Sequence, residues 1–536
     1  MVVDYTPPSL SIVSPTNSES YYDTLTINGT ASDNLGITNV NVYIKTNGVA
    51  LASWNPAIVS LSGNSWTTNW DTTTLPVGNV EITVEAIDFA GNKTTQTKNV
   101  TIRPYISSIS MDSIWIGGTL TINGSNFGTG SVKILFKGVT NTETANNTTV
   151  STTINAQTRS GYMLIEVNGI TSINSNWIDI WEMTNYTPST AAQINTRFKA
   201  YNNKIYFVQC AKSGASWATN FLYSDFTGTF TSYPFFGSTI PNGEVAGLGN
   251  VIDARGNLVA MAYSPAKQTG IWVTTYTNNG TSLIKITNVK IDTITLQGLD
   301  PLLDIRIASD LSIHVAYSDY NSSKIKYAKS TDYGNTWTIE DAVTGISFHP
   351  LLKDAQPSIN IDSEGTPHIL YFDYGSGNLK HAYKLAPYLW TAETVDSYML
   401  NGTYSDIEID NENGIHCSYY NEENGDLIYS YKPASGGWTR VLVDYSAITG
   451  KYSSIALYGS EKAISYYSES YTTAYLAYNN GENINKWRII KIPQHTLLSL
   501  PYGRFSGVNF SPDGSEIWVG FVETLTLKLW VAKYKK

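Results

Sequence analysis

The sequence predicts an all-β protein in which two β-sandwich modules precede a long array of four-stranded repeats. Three observations carry that reading. Short segments of alternating apolar and polar residues, each bounded by Gly, Asn, Asp or Pro, recur through the 536 residues. Tyr (37) and Trp (14) are abundant, while charged residues supply only 15%, against about 25% in an ordinary domain. That mix suits half-buried pleated surfaces and turns. A His/Tyr motif also returns at near-constant spacing through the C-terminal part. No stretch combines helix-forming residues with a 3.6-residue period, so helix is expected to be nearly absent.

Length and charge bound the rest. The chain is too long for one core, and its 42% hydrophobic content favours folding over disorder. The formal charge of −10 and the lack of a Lys/Arg cluster remove the electrostatic footprint of a nucleic-acid partner. No apolar run is long enough to span a bilayer, so membrane insertion is not expected. Met1-Val-Val-Asp-Tyr-Thr-Pro-Pro8 lacks a long apolar run, so no signal peptide is expected in it, and the natural chain is expected to extend upstream.

In residues 1–103, Leu10-Ser-Ile-Val-Ser-Pro15 reads as an extended strand fixed by its prolines. Thr24–Asn28, Val40–Ile44, Trp66–Trp70 and Val80–Ala86 then alternate as sandwich strands. Gly29-Thr-Ala-Ser-Asp-Asn34, Trp70-Asp-Thr-Thr-Thr-Leu-Pro-Val-Gly78 and Ala86-Ile-Asp-Phe-Ala-Gly-Asn92 resemble the bacterial Ig-like repeats of surface proteins. Asp33 and Asp88, with Asn34 and Asn92, are candidate oxygen ligands for Ca²⁺. The commoner role of such side chains is to cap their own turns, and that is the reading adopted. Ca²⁺ is the one cofactor considered.

Residues 104–182 form the second module, with Gly117-Gly-Thr-Leu-Thr-Ile-Asn-Gly-Ser-Asn-Phe-Gly128, Val132–Phe136, Gly161–Gly169 and Asn176–Ile180 as its strands. The strand ending in Gly-x-Asn-Phe-Gly resembles the signature of IPT/TIG domains. That resemblance implies a second Ig-like sandwich acting as a spacer.

Residues 183–536 are organised by repetition. His314-Val-Ala-Tyr317, His368-Ile-Leu-Tyr371 and His416-Cys-Ser-Tyr419 align, and Tyr263 and Tyr466 extend the register at spacings of 54, 54, 48 and 47. One further step each way, to Gln209 and Phe521, gives seven registers. Each repeat reads as one four-stranded sheet, which buries both faces only beside its neighbours. Ser330-Thr-Asp332-Tyr-Gly334-Asn-Thr-Trp337 resembles the Asp box of sialidase-like propellers. His416 to Leu427 resembles the BNR-like repeats of bacterial surface proteins. The resemblances imply two Ig-like β-sandwich modules followed by a seven-bladed β-propeller. The Asp box, Ser330, Asp332, Gly334 and Trp337, is then a folding device between third and fourth strands. Cys210 and Cys417 fall in the first and fifth repeats, too far apart for a disulfide. The seventh repeat runs out of chain after three strands, so Trp181–Tyr186 is expected to supply its fourth and cover the open edge.

Three readings of function follow. A sialidase-type hydrolase or a lyase needs convergent arginines and acids; Arg197, Arg306 and Arg504 lie near first strands, but no Arg-Ile-Pro motif accompanies them. They are expected not to converge. The equivalent His314, His368 and His416 are a whole repeat apart, so they cannot meet at one metal. The favoured reading is a non-enzymatic, extracellular or cell-surface protein whose head binds a glycan or a surface protein. Tyr rings beside carboxylates suit sugars, and the candidate ligand residues are Arg306, Asp319, Tyr320, Asp373, Tyr374, Glu408, Glu422 and Tyr471. The third reading is a structural component of a surface layer or appendage that binds copies of itself.

Overall fold

The computed structural model describes residues 4–73, 76–186, 192–201, 204–213, 216–224, 230–234, 249–264, 270–279, 283–294, 303–348, 357–398, 401–493, 502–523 and 529–536. Between 184 and 250 the side chains of Lys199, Tyr201, Lys204 and Tyr206 are described, and in 502–506 and 522–529 only the backbone. One three-residue 3₁₀ turn, Ala52–Trp54, is the helical content among these residues. The chain divides into two compact units, residues 1–180 (with Lys536) and 181–535.

The first unit holds two sandwiches. In the first, one sheet contains Ser9–Ser14, Thr24–Ser32 and Ser65–Asp71, and the other contains Lys93–Ile102, Gly78–Asp88 and Ile37–Thr46. Alternation along Gly78–Asp88 sends Val80, Ile82, Val84 and Ala86 inward to meet Ile27, Val42 and Trp66. The second sandwich closes over Leu120, Ile122, Phe127, Ile134 and Ile165. Its Gly-x-Asn-Phe-Gly segment works by close approach: a Cβ on Gly124 would stand 1.9 Å from the Tyr105 carbonyl oxygen. Asn126 takes a left-handed φ of 61° and turns buried Phe127 into the core. The two sandwiches are locked together. Val77 of the first is buried in the core of the second, Tyr22 stacks on Tyr105 at 3.9 Å, and Arg103 Nε donates to the Thr171 carbonyl at 2.9 Å.

The second unit has six consecutive four-stranded antiparallel sheets, and its last strands belong to a seventh, larger sheet. Sheet three is typical: Leu303–Ile307, Ile313–Asp319, Lys324–Ser330 and Thr338–Thr344 pair in chain order. The first strands of the seven sheets begin at Ala192, Gly249, Leu303, Ser358, Asn401, Thr449 and Tyr502. Each touches the next in series, and the seventh touches the first. Sheet seven has Tyr502–Phe510, Glu516–Glu523 and Leu529–Lys535 from its own end of the chain. Its fourth strand is Trp181–Tyr186, paired antiparallel from Trp181 opposite Tyr534 to Tyr186 opposite Leu529. This is the pairing expected from the missing outer strand. The same long strand starts at Asn176, where residues 176–178 pair with Gly161–Met163 in the second sandwich.

The register residues also fall as expected. Tyr317, Tyr371, Tyr419 and Tyr466 are buried on second strands, and Tyr263 occupies the same strand of sheet two. The three histidines serve packing within a sheet. His314 Nδ1 and His416 Nδ1 each bond the tyrosine hydroxyl thirteen residues on, Tyr327 and Tyr429, at 2.7 Å, and His368 Nδ1 meets His381 Nε2 at 2.9 Å.

Candidate functional site

The first strands of all seven sheets converge on one small cavity of about 60 Å³. Lys199, Ile252, Arg306, Ser358, Glu408, Ser454 and Asn509 line it, one from each strand. Arg306 dominates its electrostatics. Nη1 stands 3.5 Å from Asp304 Oδ1, and Nη2 stands 3.5 Å from Asp406 Oδ1 and 3.6 Å from Glu408 Oε1. Burial alone would lower the Arg306 pKa, but the surrounding carboxylates outweigh it and raise the pKa, so the guanidinium stays charged. Lys199 pairs with Asp253 at 3.2 Å. Burial pushes the Glu408 carboxyl upward, against the pull of Arg306 and Lys199.

Most of these charges also hold the sheets together. Asp253 Oδ2 accepts the backbone N–H of Ile307, Asp304 Oδ2 that of Ile359, and Asp406 Oδ2 that of Ile455, at 2.7, 2.9 and 3.0 Å. Each bond runs from one first strand to the first strand of a neighbouring sheet. Carboxylates fixed by backbone donors are poor proton shuttles, and Arg306 offsets part of their shared negative charge. Two buried polar atoms of the cavity residues lack partners, Arg306 Nε and Ser405 Oγ.

Arg306 and Glu408 are the two sequence-predicted ligand residues that meet here; the other six do not line the cavity. Asp319 is buried and accepts the Ser322 N–H, so it caps its own turn and is no part of an exposed surface. Tyr320 packs against Phe348 at 4.3 Å. Asp373 accepts the Ser347 N–H and pairs with Lys380 at 3.2 Å. Tyr374 and Tyr471 are exposed on turns joining second to third strands, and Glu422 lies in the corresponding turn of sheet five. The side chains of Arg197 and Arg504 lie outside the described residues, so their expected separation from Arg306 does too.

The Asp-box hairpin joins the third and fourth strands of sheet three, where the resemblance put it. Asp332 Oδ1 accepts the Thr336 N–H at 2.9 Å and the Ser330 hydroxyl at 2.8 Å; with the Thr336 hydroxyl, these bonds bring its pKa down to about 2. Trp337 Nε1 donates to the Gly334 carbonyl, and Trp487 Nε1 repeats the bond to Ile484. These bonds build the turn.

In the first sandwich, Asp33 and Asp88 come together with Asp4, one oxygen of each lying within 4.8 Å of the others. The turn-capping role is present: Asp33 Oδ1 accepts the Leu35 N–H and Asp88 Oδ1 the Asn92 N–H. Asp4 was not legible as a member, since nothing in its local sequence ties it to residues 29 and 84 positions away. Its Oδ2 is buried without a partner. Oxygens around one Ca²⁺ sit about 2.3–2.6 Å from the ion, so a 4.8 Å spread fits a shared cation.

Two tyrosines escaped the sequence reading. Tyr404 and Tyr452 lie on the first strands of sheets five and six with φ of 52° and 55°. A signal existed in Gly402-Thr-Tyr404-Ser, Gly450-Lys-Tyr452-Ser and Gly503-Arg-Phe505-Ser, a repeat spaced differently from the His/Tyr motif.

Comparison with known proteins accords with the sandwiches. Residues 8–84 match the family model of the bacterial Ig domain and residues 104–177 that of the IPT/TIG domain. The chain thus carries one domain of each kind, both typical of extracellular bacterial proteins. No helix among the described residues is long and apolar enough to cross a membrane. No curated protein matches. Among solved structures, the chain is similar to an auxiliary nutrient binding protein from Bacteroides thetaiotaomicron VPI-5482, at 9% identity over 81% of this chain and 98% of that one, TM-score 0.37. It is also similar to the Trypanosoma rangeli sialidase, at 11% identity over 66% of this chain and 57% of that one, TM-score 0.36. A third is the Kuenenia stuttgartiensis hydrazine synthase, at 11% identity over 64% and 98%, TM-score 0.41. Superpositions this loose carry no argument about function.

Proposed function

We propose that the seven sheets form a seven-bladed β-propeller, and that this unit is a non-enzymatic glycan-binding head on an extracellular or cell-surface protein. The ring is supported by first strands that touch in series and return to the first, and by the borrowed strand Trp181–Tyr186. Binding rather than catalysis is supported by the cavity, where Asp304 and Asp406 are engaged by backbone N–H groups of neighbouring strands and Glu408 accepts from the Asn360 side-chain amide.

The observation that carries the glycan reading is a band of exposed tyrosines at one end of adjacent sheets. In a four-stranded meander, the turn between strands two and three and the exit of strand four lie at the same end. Tyr374 (38% exposed) and Tyr471 (48%) occupy such turns, and Tyr398 (58%) and Tyr445 (71%) follow fourth strands. Exposed aromatic faces stack on the C–H patches of sugar rings, with neighbouring polar groups for the hydroxyls. Probing a glycan array with the full chain tests the reading. Retention of glycans without cleavage supports it, and release of sialic acid from a fluorogenic sialoside would favour the hydrolase instead.

A second reading concerns the first sandwich. We infer that Asp4, Asp33 and Asp88 share a Ca²⁺ ion, on the strength of the buried, unpartnered Asp4 Oδ2 and the three-oxygen spacing.

A further inference from the structure

Among the described residues, twelve non-glycine residues have positive φ, and ten of them lie in turns, bends or loops. The exceptions are Tyr404 and Tyr452, each inside a first strand. Both sit where the pairing register slips, between Thr403 and Asp406 in sheet five and between Lys451 and Ser454 in sheet six. A bulge that re-aims a side chain is a recurrent device beside binding sites. A bulky residue in the left-handed region is an outlier that persists only when its surroundings enforce it. Glycine would take this conformation freely, yet both sheets use tyrosine. The preceding Gly402 and Gly450 do need to be glycine, since a Cβ on either would stand 2.8 Å from Leu379 or Leu427 of the neighbouring sheet.

The two strained rings meet each other. Their centroids are 4.5 Å apart, and Tyr420 and Tyr467 support them from behind at 6.1 and 6.4 Å. Tyr420 and Tyr467 are buried, whereas Tyr404 and Tyr452 are partly exposed. On either side of Tyr404, Thr403 Oγ1 and Ser405 Oγ are buried without hydrogen-bond partners. The charge nearby is acidic. Glu422 and Glu469 both act on Tyr420, and the facing cation, Lys451, is paired with Glu469 at 2.5 Å.

From this we propose that Tyr404 and Tyr452 are the sugar-stacking residues of the head, and that the ligand they take is an uncharged pyranose. This rests on the glycan-binding reading above and makes it specific. Stacking needs aromatic surface that a ligand can reach, and both rings of the pair are partly exposed. Lys451 and Glu469 offset each other, so carboxylated or sulfated sugars meet the remaining charge of Glu422, and like-charge repulsion selects against them.

The test uses the full chain and a panel of immobilised galactose-, glucose-, mannose-, fucose- and sialic-acid-terminated oligosaccharides. Wild-type protein is expected to retain neutral members and not the sialylated ones. Tyr404→Gly and Tyr452→Gly, which suit the left-handed backbone, are expected to weaken retention about tenfold or more. Tyr404→Phe and Tyr452→Phe keep the ring and are expected to bind as wild type. Should a glycine variant unfold, protection of Tyr404 and Tyr452 from tetranitromethane by the retained oligosaccharide replaces it. Folded glycine variants that bind like wild type, or no protection, sink the tyrosine pair and leave glycan binding standing. Preference for the sialylated members overturns the uncharged ligand, and wild-type protein that retains nothing overturns both proposals.

Discussion

Tyr419 on the second strand of sheet five donates its hydroxyl to Asp396 Oδ2, at the end of sheet four, at 2.7 Å. The bond recurs between Tyr466 and Asp444 at 2.7 Å and between Tyr317 and Asp292 at 2.8 Å. The repeated tyrosine is therefore a seam residue: it buries its ring in its own sheet and ties its hydroxyl to the sheet before.

Removing that hydroxyl should cost stability in proportion to the burial of the carboxylate it serves. Tyr419→Phe is expected to destabilise by about 1–3 kcal/mol, because Asp396 Oδ2 loses the hydroxyl and keeps Arg440, and Ser430 loses a partner. Tyr371→Phe is expected to cost less, since the strand before it ends at Thr344 and not at an aspartate. Urea midpoints of the two variants check the ranking.

Arg306 should behave as the counter-charge of the cavity. Arg306→Met leaves Asp304, Asp406 and Glu408 facing one another and is expected to destabilise by about 3–5 kcal/mol. Adding Glu408→Gln removes one of the opposed charges and should recover part of the loss. A double-mutant cycle in urea measures that coupling.

How much of this was legible in the sequence differs by residue. The tyrosine register of the repeats, the Asp box and the borrowed strand Trp181–Tyr186 were all readable, because each depends on local pattern or on counting strands. Asp292, Asp396 and Asp444 were not. Their partners lie 22–25 residues away across a seam, and no pattern within one repeat says which side chains face each other there. Arg306 was placed near the channel by register, while Asp319 shows that a turn residue is as free to cap its own loop as to face solvent. Tyr404 and Tyr452 were missed for a different reason: a left-handed tyrosine inside a strand contradicts local preference, and only the neighbouring sheet enforces it.

Buried imidazoles should give the fold an acid limit. Burial lowers the His416 pKa to about 4 despite the opposing pull of Asp410, with Lys462 also lowering it. Unfolded histidine titrates near 6.5, so between those values the unfolded chain binds more protons than the folded one. Stability contributed by neutral His416 is thus full above about pH 6.5, falls as the pH drops, and levels off below about pH 4. The loss is on the order of 3 kcal/mol by pH 4. His381, lowered to about 4 by the same cause, adds to it. Stability measured from pH 7 to 4 should show this slope, and His416→Gln should flatten it.

Calcium should act on the first sandwich. Millimolar Ca²⁺ is expected to raise the thermal midpoint of the transition that includes this unit, and EDTA to reverse the gain, since an ion that binds only the folded state stabilises it. Asp88→Asn is expected to abolish the response while keeping an oxygen that accepts the Asn92 backbone N–H. Calorimetry of the full chain with and without the ion reads it. Identical scans would mean that the carboxylates do no more than cap their turns.

The account stands or falls on whether the seven-sheet unit recognises sugars without cleaving them. The most direct measurement is to incubate the full chain with the glycan array and assay bound protein and released sugar together. Saturable retention of neutral glycans with no released sugar is the predicted result. Hydrolysis of any glycan, or no retention across the array, would contradict it.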